Sequence, residues 1–171
     1  RRRRRLLLLA AALPLLLLAT GCAAAAAPAR RLSYDVSGEC VLTLTEANTG
    51  LPLNTHIKNV LWIGGKDDLA ALAGALGGCA AWTLAGGGLY IQYADDLVGG
   101  DDLAPLTKLA AITGKGSSFG YSLVIYDNDA LASLDGLARL RGSLPGALGV
   151  LYNLKLESLD GLAGLAGVDA G

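Results

Sequence analysis

The sequence predicts a leucine-rich solenoid, with short parallel strands stacked one above the next and joined by turns and short helices. Two observations carry this. A stretch starting at Leu123 recurs from Leu148 at an offset of 25 residues, so that Leu123, Ile125, Asn128, Leu131, Leu134, Asp135, Gly136, Leu137 and Leu140 map onto Leu148, Val150, Asn153, Leu156, Leu159, Asp160, Gly161, Leu162 and Leu165. A fixed period in the twenties with this leucine spacing marks an array of stacked units. Within each unit the apolar residues first alternate, as in Leu123-x-Ile125, and then recur at every third position from Leu131 to Leu140. That change of period places a half-buried strand ahead of a turn or short helix, which packs back over it.

In chain order, residues 1–27 come first. Arg1 to Arg5 are positive, Leu6 to Ala19 are apolar apart from a break at Pro14, and small residues suited to cleavage run from Ala19 to Ala27. This order predicts a secretory signal peptide. Two alternatives stay open. Leu6 to Ala29 is uncharged over 24 residues, long enough to cross a bilayer as a signal anchor with the arginines inside. Ala19-Thr20-Gly21-Cys22 resembles a bacterial lipobox, which would lipidate Cys22, although leucine is preferred where Ala19 stands. All three export the remainder of the chain, so the expected location is secreted or at the cell surface, with membrane contact only through this segment. Residues 28–35 read as a linker and 36–171 as the solenoid. The chain starts at Arg1 and holds no methionine, which reads as a fragment or an imperfect gene model. The next strand would be due near residue 173, so the solenoid itself reads as truncated.

Cys40 to Leu44 is a plausible opening strand. Leu61-Trp62-Ile63, followed by Leu69 and Leu72, leads to Leu89-Tyr90-Ile91 at an offset of 28, and Leu89 leads to Leu123 at an offset of 34. The extra length falls in an insert of about nine residues near Thr113 to Ser122, read as a Gly/Ser loop. Asp135-Gly136 and Asp160-Gly161 are read as turns, with Asp bonding its own backbone and Gly taking a positive φ. Asn128 and Asn153 form a column predicted to satisfy backbone groups at the corner of each coil. No single coil buries its apolar face alone, and the four or five present meet the need for at least three.

Charge narrows the partners. Five of the 14 Lys and Arg lie at positions 1–5, which leaves nine against 15 Asp and Glu, a balance of about −6 for the exported part. No basic patch remains to hold phosphates, so nucleic acid is not expected as a partner. With Cys22 in or beside the targeting segment, Cys40 and Cys79 are left as a pair in an oxidising compartment. A disulfide is the simpler reading; two separate buried thiols is the other.

The leucine blocks resemble the receptor L domain, a right-handed leucine-rich solenoid found in the extracellular parts of epidermal growth factor and insulin receptors and in related microbial surface proteins. The matching residues are Leu89-x-Ile91, Leu123-x-Ile125-x-x-Asn128-x-x-Leu131, and the Ser-Leu-Asp-Gly-Leu blocks at Ser133 to Leu137 and Ser158 to Leu162. The resemblance spans roughly residues 36 to 171 and is strongest over the last 50. It implies an extracellular recognition module. It also implies that Cys79, ten residues before Leu89, pairs with a cysteine from the domain's start, a role Cys40 could fill. The early coils depart from the family pattern, being glycine-rich and diverged. No cysteine-rich module or kinase follows, so receptor signalling is not implied.

If Leu and Ile face inward, two columns face out: Trp62, Tyr90, Val124 and Gly149; and Gly64, Gln92, Tyr126 and Leu151. Stacked aromatics on a sheet face suit a protein or polysaccharide partner. They also stabilise a sheet through cross-strand contacts with no ligand at all. The expected ligand face is Trp62, Tyr90, Gln92, Val124, Tyr126 and Leu151. The expected role is non-enzymatic recognition or adhesion, and the alternative is a structural surface or wall protein that binds nothing specific. A remote alternative is a serine hydrolase, because Gly116-Ser117-Ser118-Phe119-Gly120 satisfies G-x-S-x-G. That motif needs a strand before it, a helix after it and a histidine nearby; here a glycine loop precedes it, a strand follows, and the one histidine, His56, lies in an irregular region. The paired acids Asp67-Asp68, Asp95-Asp96 and Asp101-Asp102 lack calcium-loop spacing and read as turn formers. Neither a metal nor a cofactor is expected.

Overall fold

A computed structural model describes residues 34–44, 59–116 and 119–169. The targeting segment at 1–27, the linker up to residue 33, His56 and Ser118 lie outside the described residues. Among the described residues no helix is long and apolar enough to cross a membrane.

Among the described residues there are ten strands: β1 (Tyr34–Val36), β2 (Val41–Leu44), β3 (Val60–Ile63), β4 (Trp82–Ala85), β5 (Gly88–Gln92), β6 (Leu109–Ile112), β7 (Tyr121–Tyr126), β8 (Gly142–Leu144), β9 (Ala147–Leu151) and β10 (Leu165–Val168). One four-stranded sheet runs β3-β5-β7-β9 and is parallel throughout. Its register is the one the leucines specify, with Leu61 opposite Leu89, Leu89 opposite Leu123, and Leu123 opposite Leu148. A second four-stranded sheet runs β1-β2-β4-β6, parallel except for the antiparallel β1/β2 pair, and β8 and β10 form a parallel two-stranded sheet. The leucine pattern assigns each unit a single strand. The second arises because short turns, such as Gly86-Gly87 and Pro145-Gly146, fold one strand directly into the next.

The remaining side of each unit is helical. Helix α1 (Lys66–Ala75) buries Leu69 and Leu72, with Asp67 and Asp68 in its first turn, where carboxylates complement the helix dipole. Later units replace it with 3₁₀ segments at Gly100–Lys108, Asp135–Leu137 and Asp160–Leu162. Leu131, Leu134, Leu137 and Leu140 are all buried, as their spacing predicts. Inward leucines and isoleucines from strands and helical segments merge into one core. Each fully buried side chain of this size contributes roughly 1.5–3 kcal/mol.

Gly136 and Gly161 are not the positive-φ turn glycines the sequence suggested. Neither has positive φ, and both sit inside 3₁₀ segments that press on the preceding unit. A Cβ on Gly136 would lie 2.2 Å from Leu103 Cβ, and one on Gly161 would lie 1.9 Å from the Leu134 carbonyl oxygen. The two glycines permit close stacking rather than an unusual backbone.

The asparagine column behaves as predicted. Asn128 Oδ1 accepts from the Ala94 N–H at 3.0 Å while its Nδ2 donates to the Ile91 carbonyl at 3.0 Å. Asn153 repeats the arrangement one unit on, accepting from the Asn128 N–H at 3.2 Å and donating to the Ile125 carbonyl at 2.9 Å. Just before this column the chain turns through positive φ at Tyr93, Asp127 and Tyr152, with values of 56°, 53° and 55°. Such a conformation costs a non-glycine residue about 1–2 kcal/mol. Cross-unit bonds hold two of the three in place: Tyr93 N–H to the Tyr126 carbonyl at 3.2 Å and Asp127 N–H to the Leu151 carbonyl at 3.1 Å.

At the other end, Cys40 and Cys79 form a disulfide that joins residues 39 apart. It ties the start of β2 to the loop ahead of β4, two strands that also pair directly. A disulfide of this kind belongs to an oxidising environment.

Candidate binding face

The β3-β5-β7-β9 sheet brings equivalent residues of four units side by side, and its strand partners are those the columns require. Trp62 lies opposite Tyr90, Tyr90 opposite Val124, and Val124 opposite Gly149. This column is not open, however. Tyr90 is only 3 % exposed and Val124 only 6 %. The described residues of the insert read as a Gly/Ser loop lie against the strands. Gly116 N–H donates to the Tyr121 carbonyl at 2.8 Å, and Ser122 Oγ donates to the Gly114 carbonyl at 2.7 Å. Gly116 lies against the Tyr90 phenol, since a Cβ there would stand 2.8 Å from its oxygen. Burial, with Tyr121 nearby, pushes the Tyr90 phenol up to about 12. Tyr121 covers Gly149, its ring 3.1 Å from where a Cβ would sit. Tyr90 and Val124 are therefore corrected from ligand contacts to packing residues. Trp62 remains half-buried and forms one end of what is left open.

The second column is the accessible one. Gln92 and Tyr126 are half-buried and Leu151 is exposed. Two further rings join it from the positive-φ corners, Tyr93 at 57 % exposure and Tyr152 at 66 %. Together they make a continuous aromatic row. Trp62 and Tyr93 stack with centroids 6.2 Å apart at 27°; Tyr93 meets Tyr126 edge-on at 5.6 Å and 76°; Tyr126 meets Tyr152 edge-on at 5.4 Å and 85°. Edge-to-face pairs at this spacing are the favoured aromatic geometry, each worth about 0.5–1.5 kcal/mol beyond burial. Partial desolvation raises the Tyr126 phenol, and the neighbouring Tyr93 and Asp127 act in the same direction.

Comparison with protein-family models, with curated proteins and with solved structures finds no match. The row must be interpreted from its own geometry.

Tyr93 and Tyr152 were missed because the sequence columns stop at the last strand residue. Their signal was present, for Tyr93, Asp127 and Tyr152 occupy one position of the repeat. The acidic pairs are used by the backbone. Gly64 N–H donates to Asp68 Oδ2 at 2.7 Å, Lys66 N–H to Asp96 Oδ2 at 3.0 Å, and Val98 N–H to Asp102 Oδ2 at 2.9 Å. Asp102 also meets Lys66 Nζ at 2.9 Å. The Val98 N–H and then Lys66 hold its carboxyl below the usual range. Among the described residues no three potential ligands converge on a metal position.

Proposed function

We propose that this chain is an extracellular leucine-rich solenoid of the receptor L domain type, a non-enzymatic recognition or adhesion module. Its partner is a protein or polysaccharide held across the C-terminal ends of the strands of the β3-β5-β7-β9 sheet. The parallel register and the disulfide support the scaffold part of this reading. The aromatic row carries the binding part: Trp62, Tyr93, Tyr126 and Tyr152 line up along one side of the molecule, with Gln92 and Leu151 beside them. Exposed Tyr and Trp supply large contact area at little conformational cost, and they dominate binding energy where they are found at interfaces.

The test is binding of the folded, disulfide-bonded chain to an array of cell-wall and extracellular polysaccharides and to a panel of purified ectodomains. A specific partner should bind at least about tenfold more weakly to Tyr93→Ala and Tyr152→Ala, as truncation of central aromatic contacts does. Both residues are exposed, so the fold should survive. A partner indifferent to both substitutions would overturn the assignment of the face. No partner on either array would favour the structural-protein reading, in which the rings serve only one another.

A further inference from the structure

Each unit of the repeat completes the one before it in a fixed way. Asn128 takes the Ala94 N–H and the Ile91 carbonyl; Asn153 takes the Asn128 N–H and the Ile125 carbonyl, which are the same two positions one unit later. The corner N–H groups do likewise, Tyr93 donating to the Tyr126 carbonyl and Asp127 to the Leu151 carbonyl. In the last unit the corresponding groups are the Asn153 N–H, the Val150 carbonyl and the Tyr152 N–H. Among the described residues no strand lies beyond β9 in its sheet, and no asparagine comes after Asn153 in the sequence.

The side chains carry the same pattern. Leu123, Ile125, Leu131, Leu134 and Leu140 are fully buried. Their equivalents Leu148, Val150, Leu156 and Leu165 are only half-buried, and Leu159 is 54 % exposed where Leu134 is 1 %. This end is therefore a copy of the surface that each unit covers on its predecessor. In the second sheet, by contrast, β1 closes the edge of β2 by running antiparallel to it. The β9 edge, Ala147 to Leu151, has no lysine, arginine or proline to discourage pairing.

We propose that this end face docks one further leucine-rich segment. The segment is an extended strand lying parallel to β9, apolar at two alternate positions, with an asparagine three residues after the second. Its carboxamide takes the Val150 carbonyl and the Asn153 N–H, and its leucines cover Leu156, Leu159 and Leu165. This inference is independent of the aromatic row, because it rests on the continuation of the interface that already joins every pair of units.

The test joins a second copy of residues 147–171 directly after Gly171 of the full chain, which preserves the 25-residue period. Docking should slow amide exchange at Tyr152 and Asn153 at least about tenfold and raise the thermal midpoint by about 5 °C or more. The same extension carrying alanine in place of its asparagine should lose most of that protection. Unchanged exchange at Tyr152 and Asn153 would overturn the proposal. Light scattering on the unextended chain supplies the other arm. A dimer that Leu159→Asp dissociates would give the face to a second copy and likewise overturn the assignment, while a monomer at all concentrations is the expected result.

Discussion

Asn128 Nδ2 donates to Asn153 Oδ1 at 2.9 Å, so the two carboxamides that bridge successive units also bridge each other. Asn128 is fully buried and Asn153 half-buried. The link matters because each amide is oriented by the next: with Asn153 Oδ1 holding one Nδ2 hydrogen of Asn128, the other is aimed at the Ile91 carbonyl.

Asn128→Ala removes that chain in the middle. It strands the Ala94 N–H and the Ile91 carbonyl in the core, at about 1–3 kcal/mol for each unsatisfied buried group. A loss of about 2–4 kcal/mol is expected in urea unfolding, with a smaller loss for Asn153→Ala, whose site is partly wet. Asn128→Asp should be no rescue, because a carboxylate cannot donate to the Ile91 carbonyl. Equal losses at the two asparagines would contradict the burial gradient.

Two glycine substitutions separate close approach from backbone freedom. Gly161→Ala drives a methyl into the Leu134 carbonyl and should cost about 2 kcal/mol or more. Gly74→Ala, inside α1 with nothing within 4 Å of the added carbon, should stabilise by about 0.5–1 kcal/mol. Thermal unfolding of the two variants, read side by side, checks both signs.

Reduction of the Cys40–Cys79 bond frees a loop of 39 residues of chain separation and should lower stability by about 4 kcal/mol on the chain-entropy account. The loss should fall first on β1 and β2, which join the remaining structure through β4 and the disulfide. Amide exchange with and without reductant checks this: Leu42 should lose protection before Ile125 does.

Much of the scaffold was legible because the repeat states its own register. Once Leu123 aligns with Leu148, the parallel pairing of β7 with β9 is determined, and the same leucine-isoleucine signature carries it back to Leu61. The second set of strands was not legible. Ser143 in β8 and Gly167 in β10 carry no alternating apolar signal, and a strand as short as β8 is set by its neighbours rather than by its own residues. The face was legible only in half for a related reason. Alternation places Tyr90 and Val124 on the outer side, but nothing local to them announces that Gly116 will return to lie on top. Tyr93 and Tyr152 were hidden by the opposite fault, since they lie one step past the strand, at corners whose positive φ leaves no pattern in hydrophobicity.

Tyr90 offers a check on that return of the insert by titration alone. Its phenol is pushed up to about 12 by burial beneath the Gly116 segment, against about 10 for a tyrosine in the unfolded chain. A folded pKa above the unfolded one contributes stability that is complete below pH 10 or so. That contribution is lost as the pH climbs toward 12, because the unfolded chain releases its proton first. Following phenolate absorbance, Tyr90 should ionise late, near pH 12, and Tyr90→Phe should remove that late step. The same substitution should flatten the fall in stability between about pH 10 and 12, while leaving stability at neutral pH changed by less than about 1 kcal/mol. A high-pH absorbance step that Tyr90→Phe leaves unchanged would mean that the Gly116 segment does not cover Tyr90 in solution. The column Trp62, Tyr90 and Val124 would then be restored to the open face.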